Sequence, residues 1–241
     1  VITMDIDMPI MDGLEATRII MSIMPVPIII VTASHNKREL KITMEALAAG
    51  ALYVIEKPVG IGHPNEQEKI DKMLMMVKVL SEVKVVKRPF IKTTIPQKKQ
   101  AIRNQVTPLI SFFDKKIVAV GTSSGGPQVL EKIFSKITGE FPFPIVVVQH
   151  ITEGFLEGLV YWLGHLSKIP IHIAANGETI LPGHIYFAPN HYQIGIIDFK
   201  VKLVEENHQS GQLCPSVAYL FNNLAFNYGK ETIALIMTGM G

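Results

Sequence analysis

The sequence predicts two α/β domains, each built on a mostly parallel sheet, and three observations carry that prediction. Short apolar runs alternate with helical patterns over residues 1–83, and the same rhythm returns over residues 117–241. Between them, residues 84–116 are basic, contain prolines and lack sustained periodicity. Strands that alternate with helices in this way form parallel sheets covered by helices. Each half of the chain therefore predicts a doubly wound fold.

The elements follow from short apolar runs for strands and helical spacing of apolar residues for helices. In the first half, strands are predicted at residues 1–4, 28–31 and 52–55, and helices at 13–24, 37–49 and 65–81. In the second half, strands are predicted at 117–120, 145–149, 184–188 and 233–237, and helices at 129–137, 154–167 and 216–228. The runs 145–148 and 233–237 are apolar throughout, which predicts strands buried on both sheet faces.

The basic segment has nine Lys or Arg residues against one acid, Asp114. Proline and repulsion between like charges keep such a segment extended and solvated, so residues 84–116 are interpreted as a linker. A basic strip that docks on an acidic partner is the alternative.

The composition indicates a globular protein. The chain has 241 residues, of which 48% are hydrophobic, and its net charge of +2 implies no bulk electrostatic partner. A lone Cys214 excludes an internal disulfide, and no apolar stretch reaches the roughly 18 residues that span a bilayer. We therefore expect a cytoplasmic protein with no nucleic-acid partner and no membrane insertion.

Three polar side chains follow the three predicted strands of the first half. Asp5, Thr32 and Lys57 each stand at a strand's carboxyl end, the edge where open parallel sheets place their ligands. A carboxylate, a hydroxyl and an ammonium in this order can hold one phosphoryl group, which the acid accepts and the other two bind.

The segments around these residues carry a family resemblance. They resemble a response-regulator receiver domain, which has a flavodoxin-like fold. The resemblance rests on residues 4–13 (MDIDMPIMDG), 31–33 (VTA), 50–51 (GA) and 56–58 (EKP).

The receiver resemblance implies a role for each polar residue. Asp5 is the expected phospho-acceptor, Thr32 the switch hydroxyl and Lys57 the phosphate-binding cation. The Asp5 carboxylate and the backbone carbonyl of Asp7 are the expected ligands of the Mg²⁺ that supports phosphorylation.

Two features depart from the receiver pattern. The acidic pair that holds most of the Mg²⁺ lies on the family's first strand, which would precede Val1. We therefore expect a truncated receiver with an incomplete Mg²⁺ site and poor phosphorylation. The family's switch aromatic, three residues before the lysine, falls on Val54, and Tyr53 stands one position early.

The loop at residues 121–127 (GTSSGGP) lies between an apolar run and a predicted helix. A hydroxyl at a glycine-flanked strand-to-helix turn is where α/β enzymes expose a nucleophile, which makes Ser123 the first catalytic candidate. The same geometry suits a phosphate, although the spacing matches neither G-x-G-x-x-G nor G-x-x-x-x-G-K-[ST]. A nucleophile, a phosphate loop and a structural turn are the alternatives.

His150 is the histidine best placed to serve as a base. It directly follows the apolar strand at 145–149, so it is expected at the same sheet edge as Ser123, where it could take the hydroxyl proton. Glu153 and Glu157, on the following helix, could orient its ring, and an acid in the loop after Met237 is the alternative. The surface or a loop is the predicted location of His165, His172, His184, His191 and His208, and no zinc motif is present.

The second half also carries a family resemblance. It resembles the catalytic domain of CheB-type protein-glutamate methylesterases, and with the receiver and linker the resemblance spans the whole chain. It rests on residues 121–127, 147–150 (VVQH), 154–155 (GF), 181–189 (LPGHIYFAP), 215–217 (PSV), 220–221 (LF) and 237–241 (MTGMG).

This resemblance implies that Ser123 is the nucleophile and His150 the base. Ser124 and Gly125 belong to the nucleophile loop, and the Met240 backbone N–H contributes to the oxyanion site. The implied domains are a receiver at 1–83, a linker at 84–116 and a methylesterase domain at 117–241.

Two departures concern this domain. The family's catalytic Asp falls two positions beyond Gly241, so we expect a domain truncated at its C-terminus whose activity is impaired. Ala218 stands where the family usually has an Asp that helps shape the substrate site.

The implied activity is hydrolysis of glutamate γ-methyl esters, and deamidation of glutamines, on methyl-accepting chemotaxis receptors. Ester hydrolysis needs no cofactor. A CheA-type histidine kinase would phosphorylate Asp5 and so control the reaction. The alternatives are a phospho-regulated, non-enzymatic receptor-binding module, a fragment inactive for lack of the triad Asp, and a nucleotide-binding domain.

Overall fold

The N-terminal domain contains a three-stranded parallel sheet. The computed structural model describes residues 1–33, 37–58, 66–87, 116–205 and 213–238. The strands lie in the order β1-β2-β3, and neighbours pair in parallel. They are β1 (Ile2–Asp5), β2 (Ile28–Thr32) and β3 (Tyr53–Glu56), and the helices are α1 (Gly13–Ile23), α2 (Lys37–Ala49) and α3 (Glu66–Ser81).

The C-terminal domain contains a five-stranded parallel sheet in the order β10-β4-β5-β7-β6 and an antiparallel hairpin of β8 and β9. Its strands are β4 (Ile117–Thr122), β5 (Ile145–Gln149), β6 (Ile171–Ile173), β7 (Ile185–Phe187), β8 (Tyr192–Ile197), β9 (Lys200–Glu205) and β10 (Thr232–Ile236). Its helices are α4 (Gly126–Phe134), α5 (Leu156–Leu166) and α6 (Val217–Tyr228). The predicted α/β class with mostly parallel sheets is confirmed.

Local signals explain the ends of two helices. The Asp12 side chain caps α1 by accepting a hydrogen bond from the Glu15 N–H at 2.7 Å. Helix α4 begins at Gly126, three residues before its predicted start, because Pro127 in the first turn has a preset helical φ and needs no N–H partner there.

Three strands were not predicted from the sequence. Strand β6 has only three residues, and a polar His172 interrupts its apolar pattern. The β8–β9 hairpin turns at Asp198 and Phe199, whose φ angles of 49° and 57° are left-handed. Turns of this kind usually carry Asn-Gly or Asp-Gly, so an Asp-Phe pair gives no hairpin signal.

The prediction that the last strand is buried on both faces is wrong. Among the described residues, β10 lies at the edge of the sheet and pairs with β4 alone. Leu235 is 40% exposed and Ile236 is 74% exposed. An apolar run records the residues' hydrophobicity but not whether another element covers them.

The two domains share one buried hydrophobic cluster. It includes Met44 and Leu47 on α2, Leu130 on α4, and Leu159 and Leu163 on α5. Helix α2 thus packs on α4 and α5 and brings the first domain onto the second. The predicted linker at 84–116 lies outside the described residues from 88 to 115.

Candidate active site

Ser123 lies in the tight turn between β4 and α4. Its carbonyl accepts a hydrogen bond from the Gly126 N–H at 2.9 Å, which closes the turn. Gly125 has a φ of 74°, a left-handed conformation that glycine adopts without a Cβ penalty. The serine is 6% exposed and stands beside the N-terminus of α4, where backbone N–H groups are free of helical partners.

The parallel pairing of β4 with β5 brings His150 beside Ser123. Thr122 is in register with Gln149, and the His150 N–H donates to the Thr122 carbonyl at 2.9 Å. The two candidates therefore follow neighbouring strands at the same sheet edge, as expected. Both line one small pocket.

The His150 ring is held by a backbone carbonyl. Its Nε2 lies 3.0 Å from the Pro215 oxygen. Since a carbonyl only accepts, Nε2 carries the proton in this contact and Nδ1 is the unprotonated nitrogen. Burial lowers the pKa of His150 below 6.5, and the Pro215 bond opposes that shift in part. The imidazole is therefore neutral at pH 7, the state that a base requires.

No hydrogen bond joins the Ser123 hydroxyl to the His150 ring within the part of the chain that the structure describes. The Ser123 N–H donates to the Thr238 hydroxyl at 3.3 Å. Catalytic hydrogen bonds are often long or unmade in a free enzyme and tighten when substrate binds, so this arrangement is compatible with a nucleophile and its base.

Glu153 and Glu157, one of the two alternatives for an acid that orients His150, make no hydrogen bond to its ring. Glu153 precedes α5, and its Oε1 lies 3.0 Å from Nε2 of His191. Glu157 is exposed in the first turn of α5. Pro215 holds the ring instead, and no sequence signal identified it, because it lies 65 residues along the chain from His150.

The remaining residues predicted for the nucleophile loop and the oxyanion site are Ser124, Gly125 and Met240. The Ser124 hydroxyl is buried, and it has no hydrogen-bond partner among the described residues. The Gly125 N–H donates to the Leu52 carbonyl of the N-terminal domain at 3.0 Å. Met240, the predicted oxyanion contributor, lies outside the described residues.

The three strand-end residues of the first domain follow neighbouring strands, and two of their side chains meet. Lys57 Nζ contacts Asp5 Oδ2 at 2.5 Å. The Thr32 hydroxyl donates to Glu39 Oε2 on α2 at 3.1 Å. The ammonium therefore already faces the carboxylate, whereas the hydroxyl faces α2.

The residues present do not complete a Mg²⁺ site. Mg²⁺ prefers octahedral oxygen coordination. Here Asp5 Oδ2 contacts Lys57 and Asp5 Oδ1 lies 3.4 Å from the Asp7 N–H. Across the described ranges, no group of three or more His, Cys, Asp or Glu residues could hold a metal. The chemistry below is therefore assigned to side chains alone.

The pocket at Ser123 is lined by both domains. Tyr53 and Val54 both line it, and Val54, which stands at the position predicted for the switch aromatic, is 1% exposed. Burial raises the pKa of the Tyr53 phenol, and the Thr152 side chain opposes that shift. The lining residues are Leu47, Leu52, Tyr53 and Val54 from the first domain, and Ser123, Pro127, Gln149, His150 and Ile151 from the second.

The described helices include none with the length and apolar content that crossing a membrane requires.

Comparisons with known proteins agree on both domains. Residues 118–241 match the family model of the CheB methylesterase, and residues 1–66 match that of the response regulator receiver domain. A Nitrosospira multiformis protein named protein-glutamate methylesterase/protein-glutamine glutaminase is 44% identical over 246 residues, which cover 100% of this chain and 67% of that protein. A Methanospirillum hungatei protein with this name and the number 2 is 38% identical over 244 residues, covering 100% and 68%. The crystal structure of the Thermotoga maritima CheB methylesterase catalytic domain is 36% identical, with a TM-score of 0.49, and the match covers 53% of this chain and 69% of that one.

Proposed function

The chain belongs to the CheB methylesterase family and carries a response regulator receiver domain, and from this premise we propose which residues act and on what. It is a hydrolase of the protein-glutamate methylesterase/protein-glutamine glutaminase class. We propose that its substrates are glutamate γ-methyl esters and glutamine amides of methyl-accepting chemotaxis receptors. The proposed division is a receiver at 1–83, a linker at 84–116 and a catalytic domain at 117–241.

The pairing of Ser123 with His150 at adjacent strand ends is the observation that carries this proposal. Ser123 Oγ attacks the ester carbonyl while His150 takes the hydroxyl proton on its unprotonated ring nitrogen. The tetrahedral intermediate collapses to an acyl-enzyme, and the methanol leaves with the proton from His150. Water then attacks the acyl group with His150 again as base, which releases the glutamate carboxylate and restores the serine.

The same steps deamidate a glutamine. Ammonia replaces methanol as the leaving group, and the acyl-enzyme and its hydrolysis are unchanged. The Pro215 carbonyl supports this role of His150 because it fixes the ring and would stabilise the imidazolium that forms. We place Ser124, Gly125 and Met240 around the developing oxyanion.

In the closed arrangement, in which receiver residues share the Ser123 pocket, the receiver would restrain this reaction. Ser123 is almost fully buried, and residues from β3 and the end of α2 share its pocket. The Leu52 carbonyl also takes the Gly125 N–H. A receptor glutamate therefore needs the receiver to move before it can reach the serine.

Phosphorylation of Asp5 is the proposed trigger. The Lys57 ammonium already lies at the carboxylate, where it would bind a phosphoryl oxygen. A Thr32 hydroxyl drawn to that phosphoryl group would leave Glu39 on α2, the helix that packs on the catalytic domain. The proposed phosphodonor is a CheA-type histidine kinase. A cytoplasmic location is part of the proposal and rests on the lone Cys214.

Methanol release from a methylated receptor tests the proposed function. With a phosphodonor present, we expect release by the wild-type chain and covalent labelling of Ser123 by a serine-directed probe. Ser123→Ala should lose both, with a rate lower by at least about 10³-fold. Ser135→Ala, an exposed serine at the other end of α4, is the matched control. Turnover that survives in Ser123→Ala would contradict the assignment, and receptor binding without labelling would favour the non-enzymatic module.

A further inference from the structure

Gln149, the last residue of β5, makes three side-chain hydrogen bonds in the catalytic domain. It is 3% exposed, so its amide cannot rely on water for partners. Its Oε1 accepts from the Thr122 hydroxyl at 2.7 Å. Its Nε2 donates to the Ser123 carbonyl and to the His150 carbonyl, each at 2.8 Å. The amide nitrogen therefore uses both of its N–H groups on the two residues that carry the proposed chemistry.

These hydrogen bonds lie at the point where the pairing of β4 with β5 ends. The hydrogen bonding between β4 and β5 ends where the His150 N–H meets the Thr122 carbonyl. Beyond that point the chain turns into α4 after Ser123 and into the loop before α5 after His150. The Gln149 amide spans this divergence and joins the two loops where the backbone ladder has stopped.

The space for this amide is provided by Gly126. A Cβ at that position would lie 2.0 Å from Gln149 Oε1 and 2.9 Å from Thr122 Cβ. The first residue of α4 therefore cannot carry a side chain unless the amide moves. That the Gln149 amide occupies the space left by the missing side chain of Gly126 is a second observation, independent of the hydrogen bonds.

We propose that Gln149 is a positioning residue, whose two donated hydrogen bonds set the distance between the nucleophile loop and the base loop. The inference rests on the proposed function of Ser123 and His150. Gln149 makes no hydrogen bond to the Ser123 hydroxyl or the His150 ring, and it acts through the backbone of both residues. Small displacements of reacting groups can cost on the order of 10²-fold in rate, so a tie of this kind affects turnover more than substrate binding.

Gln149→Met in the full chain is the test, because methionine keeps the length and neutrality of the side chain but donates nothing. The Thr122 hydroxyl keeps an alternative acceptor, the Val148 carbonyl at 3.4 Å. We expect kcat for methanol release to fall on the order of 10²-fold with KM little changed. Gln149→Glu retains an acceptor for Thr122 but lacks the amide donors, so it should lose as much.

Asn223→Ala is the matched control for lost stability. Asn223 Oδ1 accepts from the Ile196 N–H at 2.7 Å, so this variant also loses an amide-to-backbone hydrogen bond, but between α6 and β8. It should lower the melting temperature and leave kcat at the wild-type value. An unchanged kcat in Gln149→Met, or an equal loss of kcat in Asn223→Ala, overturns the proposal.

An NMR titration of His150 separates this proposal from the proposed function. Burial holds the His150 pKa below 6.5, so loops that part in Gln149→Met should admit solvent and raise the pKa toward that value. If the wild-type chain neither releases methanol nor labels at Ser123, the proposed function fails. The titration alone then tests the role of Gln149, and a His150 pKa that is the same in Gln149→Met as in the wild-type chain overturns that role.

Discussion

The backbone N–H of Gly125, in the loop that contains Ser123, donates a hydrogen bond to the Leu52 carbonyl of the receiver at 3.0 Å. Three further hydrogen bonds, from the side chains of Gln128 and Thr152, follow the same pattern. Gln128 donates to the Leu47 carbonyl at 2.7 Å and also to the Ala51 carbonyl, and the Thr152 hydroxyl donates to the Val54 carbonyl at 2.5 Å. In each contact the catalytic domain donates and the receiver backbone accepts. The two side-chain donors, Gln128 and Thr152, can therefore be removed by substitutions in the catalytic domain.

Gln128→Met should raise the activity of the unphosphorylated protein. The variant loses two buried hydrogen bonds across the interface, worth about 1–3 kcal/mol together. If the closed arrangement loses that much stability, the equilibrium constant between closed and open arrangements shifts toward open by about 5- to 150-fold. The rate of methanol release without a phosphodonor can rise by no more than this factor.

The control for Gln128 is Gln67→Met, an exposed glutamine on α3 that bonds Asp71 in its own helix. It should keep the low unphosphorylated rate. An unphosphorylated rate that stays low in Gln128→Met would show that these bonds do not hold the receiver closed.

Asp5→Asn should abolish activation by phosphorylation. The amide cannot form the acyl phosphate, and it also loses the charge that pairs with Lys57. We expect no incorporation of labelled phosphate from the kinase and equal methanol release with and without the phosphodonor. Asp71→Asn, an exposed carboxylate on α3, should keep both responses. If Asp5→Asn still incorporates labelled phosphate, the phospho-acceptor is a residue other than Asp5.

The pH dependence of folding stability should carry a contribution from His150. Its folded pKa lies below its unfolded value of 6.5, because burial disfavours the charged ring. Between these two values the unfolded chain binds more protons, so the free energy of unfolding falls as pH decreases below 6.5 and levels off below the folded pKa. Urea unfolding at a series of pH values measures this effect.

His150→Gln should lose that part of the pH dependence. His165→Gln, which replaces an exposed imidazole on α5, is the matched substitution. The same titrating ring should appear in the activity, because the base works only when neutral, so methanol release should fall as pH drops through the folded pKa. A stability profile in His150→Gln that follows the wild-type profile would contradict the burial argument.

Gly126→Ala should destabilise the catalytic domain, whereas Gly164→Ala should not. The new methyl group at 126 meets the Gln149 amide and Thr122, and overpacking of this kind costs about 1–3 kcal/mol. Gly164 lies in α5 with nothing within 4 Å of its missing Cβ, so alanine there should stabilise by roughly 0.5–1 kcal/mol. The midpoints of urea unfolding compare the stabilities of the two variants. A Gly126→Ala variant as stable as the wild-type chain would show that the Gln149 amide can move.

The alternation of apolar runs with helical patterns was enough to predict the α/β class and most elements, since both depend on the nearest residues along the chain. Helix α2 and strand β5 occur at their predicted bounds. Strand β6 and the β8–β9 hairpin escaped prediction because their local signals are short or unusual. The exposure of β10 escaped because burial depends on elements far away in the chain.

The sequence by itself determined the residues at the strand ends, because the carboxyl ends of parallel strands meet at one edge, so that Ser123 lies beside His150 and Asp5 beside Lys57. Only the tertiary structure decided their partners. The Pro215 carbonyl binds the His150 ring, and the Gln149 amide lies between two backbone carbonyls. The receiver lies against the Ser123 pocket. These contacts join residues that are distant in the chain or belong to separate domains. The physical reason is that backbone carbonyls carry no side-chain signature, so a pattern of residue types cannot reveal which donor they meet.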